Sequence, residues 1–149
     1  MSLQEQLAED MKTAMKDKES GKKRLSVIRM VRSSLKNVEI DKKKELSEDE
    51  VIEVLAREVK KRRDALGEYV KVGRQDIADG LQEEIGILIK YLPEQMSEEE
   101  VRSLVKGVIA EVQPTGPKDM GKVMGKLMPK IKGRADGKLV NQVVKEFLG

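Results

Sequence analysis

From Lys118 to Leu148 the chain reads KDMGKVMGKLMPKIKGRADGKLVNQVVKEFL. At about 100° per residue, a helix over Lys118–Lys132 sets Lys118, Lys122, Lys126 and Lys130 on an arc of roughly 120°. Met120, Val123, Met124, Leu127, Met128 and Ile131 fall on the opposite side. Gly121 and Gly125 form a thin edge beside the lysines. One short helix thus carries a packing face, a cationic face and a strip where another backbone can come close. A polyanion is the natural partner of such a surface. Asp136 suits the N-cap of a following helix, in which Leu139, Val140, Val143, Val144 and Phe147 face inward.

The same helical period runs through the rest of the chain, and no segment shows sustained apolar alternation, so an all-α fold without a sheet is expected. Pro114-Thr115-Gly116-Pro117 is the plainest loop. Pro117 suits the first turn of the lysine helix, the sixth, and Gly133 its C-terminal stop. Pro129 is awkward there. Inside a helix proline costs about 3 kcal/mol and its ring meets the carbonyl four residues back, here that of Gly125. A kink is expected, the alternative being a break near Met128 that would split the lysine stripe.

Further helices are expected over about Leu3–Lys18, Lys22–Ile40, Ser47–Val70, Gln75–Tyr91 and Ser97–Val112. Ser2/Glu5, Ser47/Glu50 and Ser97/Glu100 have the S-x-x-E form of a capping box. Pro93 ends the fourth helix and places a boundary. An N-terminal helical domain of about four helices, 1–93, precedes a three-helix tail domain, 94–149.

Composition narrows the chemistry. Charged and apolar residues each make up 38% of 149 residues and aromatics only 2%, so the core must be aliphatic and methionine-filled. There is no Cys and no His, which removes disulfides, a thiolate nucleophile, the commonest general base and nitrogen–sulfur zinc sites. Gly121-Lys122 and Gly125-Lys126 look superficially like phosphate-cradling glycines, but no strand precedes them and no GxxxxGK[ST] motif exists. Ser33-Ser34 lies inside a predicted helix, and Glu83-Glu84 and Glu98-Glu99-Glu100 read as helix solvation and N-terminal dipole partners. No catalytic residue, metal site or cofactor is expected. No run is long enough to span a membrane. The acidic start MSLQEQLAED lacks a signal-peptide layout, so a cytoplasmic monomer is the default.

Charge is unevenly spread. Residues 1–46 hold 12 basic and 8 acidic side chains, residues 47–116 hold 10 and 16, and residues 117–149 hold 8 and 3. A polyanion would be met by the basic ends.

Several stretches carry a family resemblance. They are Asp119-Met120-Gly121-Lys122-Val123-Met124-Gly125, Lys132-Gly133-Arg134-Ala135-Asp136 and Leu139-Val140-Asn141. Arg24-Leu25-Ser26-Val27-Ile28-Arg29-Met30-Val31 and Tyr91-Leu92-Pro93-Glu94-Gln95 belong with them. Together they resemble the YqeY-like protein family, the stand-alone relative of the helical and tail domains of the B subunit of glutamine-dependent tRNA amidotransferase. The resemblance implies tRNA binding as an accessory to aminoacyl-tRNA amidation, with a link to carbon–nitrogen ligase activity using glutamine as amide donor. It implies tRNA, amidotransferase subunits or an aminoacyl-tRNA synthetase as partners. In the amidotransferase the chemistry belongs to other domains and subunits.

Residues and resemblance together make Lys118, Lys122, Lys126, Lys130, Lys132, Arg134 and Lys138, with Gly121 and Gly125, the candidate RNA-binding set. The glycine pair reads first as close helix packing and second as a phosphate seat. Met120, Met124 and Met128 read as core. Arg29, Arg32 and Lys36 lie off the apolar stripe of their helix, as a second RNA surface or, slightly favoured, plain solvation. Lys42-Lys43-Lys44 reads as a loop. With so few aromatics, RNA would be held by backbone and shape, as suits a folded tRNA. The rival reading is a non-catalytic module that docks on a larger enzyme.

Overall fold

The computed structural model describes residues 1–149 and contains seven α-helices and no strand. They are α1 (Leu3–Lys16), α2 (Lys22–Lys42), α3 (Glu48–Lys71), α4 (Gln75–Ile89), α5 (Glu98–Val112), α6 (Met120–Ile131) and α7 (Gly137–Leu148). Packing divides the chain into two compact units, Met1–Leu92 and Pro93–Gly149.

In the first unit α3 lies along α4 and α1 along α2, with α2 touching both α3 and α4. Leu7, Val27, Ile28, Val31, Leu35, Val51, Val54, Leu55, Val59, Ile85 and Leu88 form its core. The α1–α2 corner is tight. α1 ends at Lys16, two residues before the expected Lys18, and a 3-10 turn over Lys18–Gly21 follows it. A Cβ at Gly21 would stand 2.2 Å from the Ala14 carbonyl oxygen, so only glycine fits.

Capping follows the serines with one exception. Ser47 and Ser97 form complete reciprocal boxes with Glu50 and Glu100. Ser2 accepts from the Glu5 N–H at 3.1 Å, but the return bond is absent. The next N–H of the first turn, that of Leu3, donates to the Glu48 carboxylate, 3.2 Å to Oε2, so a tertiary partner also caps this helix.

The unit also buries two charges where the sequence suggested only solvated carboxylates. Arg62 is 6% exposed and Glu58 7%. The Arg62 Nη1 donates to Glu58 Oε2 at 2.9 Å and to the Glu58 carbonyl at 3.0 Å, and Nε donates to Glu84 Oε1 at 3.0 Å. Ser34 Oγ donates to the other Glu58 oxygen at 3.1 Å. Glu84 is therefore an ion-pair partner and not a solvated face. Burial pushes the Glu58 carboxyl up, but the bonds from Arg62 and Ser34 and the charges of Lys61 and Arg62 outweigh it and hold the group below its ordinary value.

In the second unit α5, α6 and α7 pack pairwise. Each supplies three aliphatic side chains: Val101, Val105 and Val108; Val123, Leu127 and Ile131; Val140, Val143 and Val144. Met120 and Met124 are half-buried against this core. Two apolar side chains expected inside lie outside it: Met128 is 51% and Phe147 43% exposed. Three short helices close around small β-branched residues, so the flanking positions of each stripe stay in water.

Candidate nucleic-acid interface

The lysine helix is shorter than its pattern. Pro117–Asp119 form a 3-10 turn, and α6 begins only at Met120. The Asp119 carboxylate accepts from the Thr115 N–H at 2.8 Å and its hydroxyl at 2.9 Å, which tightens the loop and lowers the Asp119 pKa. Lys118 therefore leaves the strict helical register. Pro129 sits in the last turn of α6, and the helix runs through it to Ile131. The helix does not break at Met128, so Lys122, Lys126 and Lys130 remain on one helix. Gly133 takes the left-handed conformation, φ 72°, and the N–H groups of Lys132, Arg134 and Ala135 donate back to the carbonyls of Met128, Ile131 and Ile131.

Lys118, Lys122, Lys126, Lys130, Lys132 and Lys138 are all exposed. Lys126 Nζ pairs with Glu111 of α5 at 3.0 Å, and Lys122 loosely with Asp119 at 3.8 Å. The Lys126 bond, with the further charge of Lys130, lowers the Glu111 pKa. Arg134 has partners within its own unit. Its Nε donates to the Glu94 carbonyl at 3.1 Å, its own carbonyl accepts from the Met96 N–H at 2.8 Å, and Gln95 Nε2 donates to the Gly133 carbonyl at 2.6 Å. The turn between α6 and α7 is thus clamped to the segment that enters α5. Arg134 belongs to that clamp.

The glycine edge is open. A Cβ at Gly121 or Gly125 would meet nothing within 4 Å. No helix of this chain packs there, which corrects the close-packing reading of the pair. Exposed Met128 lies at the end of the same edge. The face therefore offers cations, bare backbone and one thioether side chain.

Asp119 and Glu111 were not legible as parts of this surface. Glu111 stands fifteen residues from Lys126, and no local spacing joins them. Asp119, four residues after Thr115 and beside a proline turn, has the look of a loop-closing carboxylate.

The model of the YqeY-like protein family matches residues 4–148. The chain belongs to this family. Among curated proteins it is similar to the Altered inheritance of mitochondria protein 41, mitochondrial, of three yeasts. Identity is 36% over 115 residues for Kluyveromyces lactis, 31% over 114 for Lachancea thermotolerans and 30% over 115 for Candida glabrata. Each alignment covers 74% of this chain, and 60%, 60% and 62% of the respective relatives. These YqeY-like relatives are named as mitochondrial proteins, which overturns the cytoplasmic default. That default argued from a missing secretory signal, and a missing signal does not name a compartment.

Proposed function

We propose that this YqeY-like protein binds tRNA through the basic face of its tail unit, as an accessory to aminoacyl-tRNA metabolism. One observation carries the reading. Lys122, Lys126 and Lys130 stand in a row on α6 beside two glycines that no other part of the chain covers. Phosphates can approach the helix backbone along that edge while the lysines reach them from the side. Lys118, Lys132 and Lys138 extend the charge beyond both ends of α6.

The two ion pairs do not oppose this. Exposed pairs are worth about 0–1 kcal/mol, so Lys126 leaves Glu111 for a phosphate at small cost. The chain has no Cys and no His, so glutamine hydrolysis on it would need an activated Ser, Thr or Lys, and its one serine pair, Ser33-Ser34, lies within α2. Any link to amidation runs through amidotransferase subunits or an aminoacyl-tRNA synthetase that use the same tRNA. The exposed Met128 and Phe147 favour a second reading, in which the tail docks on such an enzyme.

Fluorescence titration of labelled tRNA against salt separates the two. In the variant K122Q/K126Q/K130Q the log–log salt slope should flatten by roughly two units, since each phosphate contact contributes about 0.7–0.9. A variant with the parental slope and affinity would leave the docking reading in its place.

A further inference from the structure

We infer that the groove between α1 and α2 is a second phosphate-binding surface for folded RNA, built by Arg29, Arg32 and Lys36. The groove has a volume of about 590 Å³, and Gln4, Met11, Ser33, Asn37 and Glu39 complete its lining. The inference rests on the tail's tRNA reading for its choice of ligand, but its residues belong to the other unit.

Three features of the groove set it apart from an ordinary solvated helix face. First, its cations are unpaired. Arg29 and Lys36 make no hydrogen bond or ion pair, and Arg32 reaches only the Met11 thioether, at 3.2 Å. Other arginines of the chain find carboxylates: Arg24 takes Asp17, Arg74 takes Asp76, and Arg102 takes Glu98 and Glu146. Arg57 and Arg63 on α3 also lack partners, but six residues separate them, about 120° around the helix, and they form no cluster. Three neighbouring cations kept free in a chain with 27 carboxylates are available to an outside anion.

Second, the donor set fits phosphate and sugar. Arg29, Arg32, Ser33, Lys36 and Asn37 share one arc of α2, and Arg29 to Lys36 spans about 10 Å of helix axis. Two guanidinium forks can each hold a phosphate through paired bonds. The flanking hydroxyl and amide are the side chains that add contacts to backbone oxygens. The only apolar side chain of the lining is Met11, so a docking peptide would find little to anchor it.

Third, the cationic stretch is bounded. The adjoining depression is lined by Glu39, Glu45 and Glu48 together with Lys36 and Lys44. Lys44 is itself taken by Glu50 at 3.3 Å, as is Lys42 at 2.7 Å. Two lysines of the run at the end of α2 thus share one carboxylate, and the unpaired cations that line the groove lie at its Arg29–Lys36 end. A short length of RNA backbone fits this, whereas a long duplex track does not.

The test uses the full chain and an unmodified tRNA transcript titrated across salt, with helicity checked by circular dichroism. Because these side chains make almost no bonds within the protein, R29Q/R32Q/K36Q should keep its fold. Its salt slope should fall by roughly two units, and combined with K122Q/K126Q/K130Q the two losses should add. The conservative R29K/R32K should keep the slope yet bind several-fold more weakly, because lysine cannot grip bidentately. A groove variant with parental slope and affinity overturns the inference while leaving the tail reading intact. The converse, a slope lost only in the groove variant, sinks the tail reading and supports the groove. A groove variant that loses poly-glutamate binding but keeps its tRNA slope assigns the groove to an acidic peptide and overturns the inference.

Discussion

Replacing Arg62 by methionine should cost more stability than any other single change on the first unit's surface-facing helices. The side chain is 6% exposed and bridges Glu58 and Glu84 through three bonds of 2.9–3.0 Å. Methionine fills similar space but leaves the Glu58 carboxylate buried with Ser34 as its remaining close donor and Lys61 3.5 Å away at the surface. Breaking one partner out of a buried ion pair costs about 3–5 kcal/mol. With a urea m-value of about 2 kcal/mol/M, the midpoint should fall by about 2 M. Tyrosine fluorescence reads this unit selectively, because Tyr69 and Tyr91 both lie within Met1–Leu92 and the chain has no Trp. The acid dependence has a sign of its own. In the parent, Glu58 sits below its ordinary value, so its contribution is present above the unfolded pKa and is lost as pH falls through the folded one. Without Arg62, burial dominates and raises the Glu58 pKa, so the variant recovers stability on acidification. The gap between the two should narrow from pH 7 toward pH 4.5. Converting the whole network to E58M/R62M/E84M should recover most of the loss, since a buried charge set replaced by apolar groups is about neutral. A loss under about 1 kcal/mol for R62M, or a triple variant no better than the single, would refute the reasoning.

Three other outcomes are expected. Gly21→Ala should destabilise the first unit by about 1–3 kcal/mol in a thermal melt, because the new methyl meets the backbone of Ala14 and not a side chain that can turn away. G121A/G125A should stabilise the tail by up to about 1 kcal/mol per site through helix propensity, yet weaken tRNA binding if phosphates use the open edge; equal or tighter binding would remove the glycines from the site. Glu111→Gln frees Lys126 from its 3.0 Å pair and removes a negative charge beside the basic face, so tRNA binding at low salt should tighten a few-fold, and an unchanged affinity would mean that Lys126 does not reach the RNA.

Most helix starts and stops and the class of fold were legible because they depend on neighbours in the chain. Ser47 and Ser97 cap helices through residues three positions on, Gly133 stops α6 through its own backbone, and the stripes of Val123, Leu127 and Ile131 or Val140, Val143 and Val144 follow from helical period alone. The exposed α6 lysines are legible for the same reason: opposite faces of one helix need no tertiary information. What a side chain meets across a gap is decided by packing. Glu84 and Arg62 are twenty-two residues apart, Lys126 and Glu111 fifteen, and Leu3 and Glu48 forty-five, so no local spacing announces these partnerships. The same holds for absences of partners. Periodicity presents Arg24 and Arg29 alike as basic residues of one helix, but the fold brings Asp17 to the first and no carboxylate to the second. It likewise leaves Gly121 and Gly125 bare while pressing Gly21 against Ala14. Charge and smallness are properties of the sequence; whether a charge is spent internally, or a glycine is covered, depends on the arrangement of helices that only the folded chain possesses.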